Sequence, residues 1–140
     1  TGVQTCALPI FLKDLDFVFI SVDSNIARNT IISKLLNFQV PFIDVGLGVE
    51  IKNDTLTAIL RATLGTETMH EHLPTRIGSI NGSDDEYSTN IQIADLNAMN
   101  ALMAVIKWKR YIGFYKDLKE EHNITFTVNT GQMLSDDFAT

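Results

Sequence analysis

Apolar and polar positions along the chain predict an alternation of strands and helices. Residues 16–22 form a short apolar run, DFVFISV, whose β-branched and aromatic side chains are typical of a parallel strand covered on both faces. Ser24 or Asn25 then offers a helix N-cap, and apolar side chains recur at helical spacing over residues 25–37. A second apolar run follows at residues 42–46. The pattern therefore predicts a βαβ unit with a right-handed crossover.

The middle of the chain has a different pattern. Two β-prone segments, residues 49–51 and 56–63, flank polar turn formers at residues 52–55, and this arrangement predicts an antiparallel hairpin. Residues 65–89 contain glycines, a proline and an acidic run, so we expect a loop there.

The last third of the chain predicts a long helix and one more strand. Thr89 or Asn90 is the expected N-cap, and the helix should run to about Tyr111 and end at Gly113. Its apolar positions go nearly all the way round, so the helix should be buried on most sides or lie in an interface. Residues 124–128 alternate and predict a half-exposed edge strand.

Composition narrows the class of protein. The 140 residues are 45% hydrophobic and 20% charged, which suits one domain or a large piece of a bigger one. A net charge of −6 argues against a general binder of nucleic acid or anionic membranes. No apolar run approaches the roughly 18–20 residues of a membrane span. A single cysteine excludes an internal disulfide framework, and we expect a cytoplasmic protein.

The first ten residues, TGVQTCALPI, have no helical or alternating period and no basic segment of a signal peptide. This string is similar to a translated sequencing adapter. We therefore expect residues 1–10 to be a non-native leader and Phe11 to be the first authentic residue, which removes Cys6 from functional consideration.

Candidate chemistry begins at the end of the first predicted strand. Asp23 stands at the carboxyl end of that strand and just before a helix, which is the edge of an open parallel sheet where ligands bind. Its carboxylate suits Mg²⁺ with nucleotide phosphates as co-ligands, and a helix-capping role is the alternative. Arg28 lies in the first turns of the helix. It can reach a phosphate, stay in solvent or pair with Asp23.

Other motifs favour ordinary structural roles. Gly46-x-Gly48 is a fragment of a dinucleotide fingerprint in which Ile51 takes the place of the third glycine, so close backbone packing explains it better. His70 and His72 lie in a predicted loop without a cysteine partner, and a closed zinc site needs four ligands. The acidic residues 83–86 lack EF-hand spacing. Neither a P-loop nor a Gly-x-Ser-x-Gly elbow is present.

The order of these motifs resembles the second half of the ThiF/MoeB/HesA adenylyltransferase family, which includes the ubiquitin-activating enzymes. The family has a strand ending in Asp-Asn-x-x-x-Arg, a helix, a strand beginning near a proline and an antiparallel hairpin. Here Asp23 and Arg28 match in type and spacing, while Ser24 stands where the family usually has Asn. Residues 90–109 look like the late helix of a bacterial subgroup linked to ubiquitin-like modification systems. The resemblance covers about residues 14–131.

The resemblance implies a Rossmann-like α/β fold and an ATP-dependent reaction. Members of the family activate the C-terminal carboxylate of a ubiquitin-like or sulfur-carrier protein as an acyl-adenylate, with Mg²⁺ at the phosphates. It implies that Asp23, Ser24 and Arg28 lie at the cofactor site and that Asp23 is the metal ligand. A homodimer of the full-length protein is also implied.

Several family features do not occur in this sequence. The glycine-rich loop, the ribose-binding acid, the paired Cys-x-x-Cys motifs and a thioester cysteine are missing. We therefore expect residues 11–140 to be the C-terminal part of such a domain, inactive alone, with the nucleotide-binding half missing. Two alternatives stay open: a non-catalytic ThiF-like partner subunit, and a fragment of a Rossmann-type NAD(P)-dependent oxidoreductase.

Overall fold

The structure, a computed structural model of the chain, describes residues 11–77 and 93–136. These residues form a mixed α/β unit in which one five-stranded sheet carries the strands in the order β1-β2-β3-β4-β5. The first pair of strands is parallel and the other three pairs are antiparallel. Three helices accompany the sheet in the described part of the chain. The expected α/β class is confirmed at this level.

The first strand, helix and second strand form the predicted βαβ unit. They are β1 (Val18–Ile20), α1 (Asn25–Asn37) and β2 (Phe42–Lys52), and β1 pairs with β2 in parallel, with Ile20 opposite Asp44. Helix α1 has the predicted bounds, but β1 is shorter than residues 16–22 because it pairs with β2 over only three rows.

Cover on both faces of β1 is expected from the sequence, and the structure shows full cover on one face and partial cover on the other. Ile20 is 2% exposed in the core beside α1, whereas Phe19 on the opposite face is 47% exposed. The ring of Phe19 contacts those of Phe17 and Trp108, at centroid distances of 5.2 and 6.1 Å. Aromatic contacts therefore cover the second face in part.

The predicted hairpin joins β2 to β3 (Thr55–Gly65). Lys52 pairs with Thr55, so only Asn53 and Asp54 form the turn, with φ angles of 51° and 59°. Positive φ at both positions is the geometry of a type I′ turn, which matches the twist of the two strands. The strand predicted at residues 42–46 is longer than expected because it continues without a break into the hairpin.

The prediction of an edge strand at residues 124–128 is wrong. Strand β4 (Asn123–Thr127) pairs with β3 on one side and with β5 (Gln132–Asp136) on the other. Strand β5 was not predicted, and it forms the edge of the sheet. Its exposed Met133 and Leu134 give no clear alternation of buried and exposed positions.

Part of the predicted loop at residues 65–89 is helical. A short helix, α2 (Leu73–Ile77), follows β3, and Leu73 is buried in the core beside α1. One buried side chain gives too short a pattern to reveal a helix from sequence. The acidic residues 83–86 lie outside the described residues.

The long helix, α3 (Ala94–Tyr111), ends near Tyr111 as predicted, and Gly113 follows it with a φ of 78°. The predicted caps, Thr89 and Asn90, lie outside the described residues. In the described part, Ile93 occupies the N-cap position and its side chain forms no capping hydrogen bond. None of the described helices is long and apolar enough to cross a membrane.

Two apolar clusters lie on opposite faces of the sheet. The cluster beside α1 contains Leu12, Ile20, Ile32, Leu35, Val40, Phe42 and Leu73. The cluster beside α3 contains Ile43, Leu60, Ala62, Leu64, Met103, Ala104 and Ile124. Burial of α3 on most sides is wrong for the described structure, because Leu102, Val105 and Ile106 are exposed. An interface on this face stays a prediction.

Candidate functional site

Asp23 lies in the short connection between β1 and α1, beyond the carboxyl end of β1. Its side chain is exposed and forms no hydrogen bond or ion pair with the described residues. The capping alternative for Asp23 is wrong, because Ser24 is the N-cap and its Oγ accepts a hydrogen bond from the amide of Ala27 at 3.3 Å. The Asp23 carboxylate is therefore free to bind a ligand from solvent.

Arg28 fastens this connection to the sheet. Its Nε donates to Oδ1 of Asp44 at 2.9 Å, its Nη1 donates to Oδ1 of Asn25 at 2.6 Å, and its Nη2 donates to the carbonyl oxygen of Val22. No ion pair joins Arg28 to Asp23. Three of the five N–H groups of this guanidinium are thus used, and two remain for a ligand or water.

Asp44 on β2 joins two arginines from different elements. Its side chain is fully buried, and its second oxygen, Oδ2, accepts a hydrogen bond from Nη2 of Arg61 on β3 at 2.6 Å. The side chains of Arg28 and Arg61 are 11% and 15% exposed. We name these three residues the arginine cluster. It connects α1, β2 and β3 through one carboxylate.

The polar contacts continue across the sheet to β4. Nη1 of Arg61 donates to Oγ1 of Thr63 at 2.8 Å, and the Thr63 hydroxyl donates to Oδ1 of Asn123 at 2.7 Å. Thr63 and Asn123 are fully buried. The chain of hydrogen bonds satisfies these buried polar groups and fixes the direction of the Arg61 guanidinium.

Strand alternation explains why these side chains meet. In the ladder Asp44 is opposite Thr63, and Thr63 is opposite Asn123, so all three side chains point to the α1 face of the sheet. Neither Asp44 nor Arg61 is among the site residues predicted from the sequence. A charged residue within each apolar strand segment, FIDVG and AILRAT, is the signal that marks them.

Gly46 makes room for the arginine cluster. It is opposite Arg61 in the ladder, and a Cβ at Gly46 would lie 2.7 Å from Nη2 of Arg61. Close packing, the explanation favoured for Gly46-x-Gly48, is therefore confirmed at Gly46. At Gly48 a Cβ would meet nothing within 4 Å, so the same face of β2 is open beyond Arg61.

The cluster has one positive charge in excess, since two guanidinium groups share one carboxylate. Burial lowers the pKa of Arg61, and repulsion from Arg28 acts in the same direction. The attraction and hydrogen bond of Asp44 oppose both effects. Among the described residues, no acid other than Asp44 contacts either arginine.

The single exposed carboxylate of Asp23 suits Mg²⁺, which shares its ligands with a bound substrate, better than it suits a metal held by protein ligands alone. Magnesium is usually bound through one or two carboxylates together with substrate phosphates, and a single free aspartate suits that arrangement. No group of three or more potential ligands (His, Cys, Asp or Glu) that could hold a metal occurs in residues 11–77 and 93–136. Nδ1 of the exposed His70 donates to the carbonyl of Glu67, whereas Nε2 of the buried His72 donates to that of Leu64.

A separate cavity of about 350 Å³ lies near the end of the sheet where β2 begins, away from the carboxyl end of β1. Both acidic and basic side chains line it. They include Lys107, Arg110, Asp117, Glu120 and Glu121. Asp23, Ser24 and Arg28, the site residues predicted from the sequence, do not line this cavity.

No protein-family model matches the chain, and a search of curated proteins finds no significant match. The free carboxylate of Asp23 and the arginine cluster are therefore the features of the described chain that indicate a function.

Proposed function

We propose that this chain supplies the C-terminal part of an ATP-dependent adenylyltransferase, which activates the C-terminal carboxylate of a ubiquitin-like or sulfur-carrier protein as an acyl-adenylate. The observation that supports this most is the exposed carboxylate of Asp23, without a partner among the described residues, just beyond the carboxyl end of a parallel strand. Ligands of open α/β sheets bind at this edge. The proposed reaction class comes from the order of motifs, which resembles that of the ThiF family.

Asp23, Ser24 and Arg28 each have a role in this proposal. Asp23 would hold Mg²⁺, which neutralises charge on the phosphates of ATP when bound. Ser24 ends the connection by capping α1. Arg28 keeps the connection against the sheet through Val22 and Asp44, so the Asp23 backbone is positioned before substrate binds.

In this reaction the protein has little covalent chemistry to perform. A carboxylate oxygen of the ubiquitin-like protein attacks the α-phosphorus of ATP, and the bond from that phosphorus to the bridging oxygen breaks. Pyrophosphate leaves with the electron pair, so no proton has to move in this step. Positioning and charge stabilisation then account for most of the rate. Adenine and ribose would be held by family elements that this sequence does not contain.

Partner-dependent ATP–pyrophosphate exchange tests the reaction class. The full-length protein should exchange labelled pyrophosphate into ATP only when its ubiquitin-like partner and Mg²⁺ are present, because adenylate formation is reversible. Exchange that is independent of the partner, or hydride transfer with NAD(P)H in its place, would contradict the proposal. Binding of the partner without exchange would support the non-catalytic subunit instead.

A further inference from the structure

We infer that the arginine cluster of Arg28, Asp44 and Arg61, with the open face of β2 beside it, is a binding site for an oxyanion, the phosphate or carboxylate group of a ligand. Arg61 has no role in the adenylyl-transfer proposal, in which Asp44 only holds Arg28 in place. The inference does not rest on that proposal, and either can fail without the other.

The arginine cluster carries an excess positive charge. Two guanidinium groups with side-chain exposures of 11% and 15% share one fully buried carboxylate. A cation that is largely removed from water needs a counter-charge, and the one carboxylate of Asp44 balances only one of the two positive charges. An oxyanion supplies that charge.

The two guanidinium groups also have unused hydrogen-bond donors. Arg28 uses three of its five N–H groups and Arg61 uses two, so five N–H groups remain between them. Planar guanidinium groups bind carboxylate and phosphate with paired hydrogen bonds. Because Asp44 holds both side chains in place, little rotamer entropy would be lost on binding.

The face of β2 beside the cluster is open. β2 carries no side chain at Gly46 or Gly48 on this face, and a Cβ at Gly48 would meet nothing within 4 Å. Ile59, opposite Gly48 on β3, is 53% exposed. A ligand can therefore approach the Arg61 guanidinium along the bare stretch of β2.

Titration of the 140-residue chain with inorganic phosphate tests the site, at constant ionic strength kept with sodium chloride. The Nε–Hε NMR signals of Arg28 and Arg61 should shift with one saturable dissociation constant, while those of Arg110 stay in place. A parallel titration with acetate identifies the chemical class of the ligand. Binding of phosphate alone indicates a phosphorylated ligand, and comparable binding of acetate indicates a carboxylate.

Variants separate the site from general attraction of anions. Arg61→Gln should weaken phosphate binding by about tenfold or more, the loss of one charged hydrogen-bond donor. Arg110→Gln removes an arginine elsewhere that pairs with Asp117 and Glu121, and it should leave phosphate affinity within about twofold. Arg61→Lys retains the charge and should bind phosphate more tightly than the Gln variant. Binding by the Lys variant shows that the protein still folds when Arg61 is replaced. Absence of saturation, or equal weakening in the two Gln variants, would overturn the inference.

Discussion

At Gly46 the backbone of β2 lies directly under the guanidinium of Arg61, and this close approach decides what residue the position accepts. A Cβ there would lie 2.7 Å from Nη2 and 3.1 Å from Nε of Arg61. Either the arginine or the strand must then move, and a displaced guanidinium loses the hydrogen bond from its Nη2 to Asp44. The fully buried carboxylate would keep only Arg28 as a partner.

Gly46→Ala should therefore destabilise the protein by about 2–4 kcal/mol, from overpacking and a disturbed buried ion pair. Gly48→Ala is the matched control, since it adds the same methyl group on the same strand and face with nothing within 4 Å. It should be neutral or stabilise by up to about 1 kcal/mol, because alanine is favoured over glycine within strands. Urea unfolding measures both. Equal losses in the two variants would contradict the role of Gly46.

The sequence permits part of the site to be predicted at this scale. Asp23, Ser24 and Arg28 are close together in sequence, so a local motif is enough to place them around one helix N-terminus. Asp44 and Arg61 are 17 residues apart and meet only because the hairpin register brings their neighbours opposite each other. That register depends on a two-residue turn, and shifting it by one residue would send Asp44 to the other face.

At the scale of elements, the segment between α3 and β4 is tied to the helix end through Asp117. Its Oδ1 accepts hydrogen bonds from Nη2 of Arg110 at 2.6 Å and from the amides of Lys119 and Glu120 at 3.3 and 3.0 Å. Desolvation raises the pKa of Asp117, but these hydrogen bonds and the charge of Arg110 outweigh it. The pKa is held below the usual 3.8.

A lowered pKa means that ionised Asp117 stabilises the folded state. The contribution is complete above the ordinary pKa of 3.8, which applies to the unfolded chain, and is lost as the pH falls through the lower folded pKa. Asp117→Asn should cost roughly 1 kcal/mol at pH 7 and progressively less below pH 4. Unfolding at pH 7 and pH 2.5 checks this, with Asp54→Asn at the exposed hairpin tip as the control. A loss that is the same at both pH values would rule out the charge as its cause.

Elements with strong local signals agree best with their predictions. Helix α1 has a serine cap and apolar side chains at helical spacing, of which Ile32 and Leu35 are buried. The hairpin has turn formers between two β-prone runs. Strand β5 and helix α2 have short or weakly patterned sequences, so tertiary contacts define them. β4 looked like an edge strand because its alternation reveals one buried face, and alternation does not report how many strands lie beside it.

At the scale of the whole molecule, the sheet separates a largely apolar face from a face of mixed character. The α3 face is lined mostly by aliphatic and aromatic side chains, and the buried Asn100 of α3 donates from Nδ2 to the carbonyl oxygen of Gly46 at 3.0 Å. The α1 face is apolar where β1 and α1 cover it and polar at the arginine cluster. The free carboxylate of Asp23 lies at the β1–α1 connection that the cluster anchors. In our account this arrangement positions Asp23 for Mg²⁺ and phosphate.

Asp23→Asn in the full-length protein tests this account most directly. Ser24 keeps the helix cap and Asn has nearly the same size, so stability should change by less than about 0.5 kcal/mol. Partner-dependent ATP–pyrophosphate exchange should fall by about 10²–10³-fold, as expected when a charge-stabilising contact is lost. Asp54→Asn, which removes an exposed aspartate at the hairpin tip, should exchange normally. Near-normal exchange by the Asp23→Asn variant, with unfolding measured in parallel, would contradict the central role of Asp23.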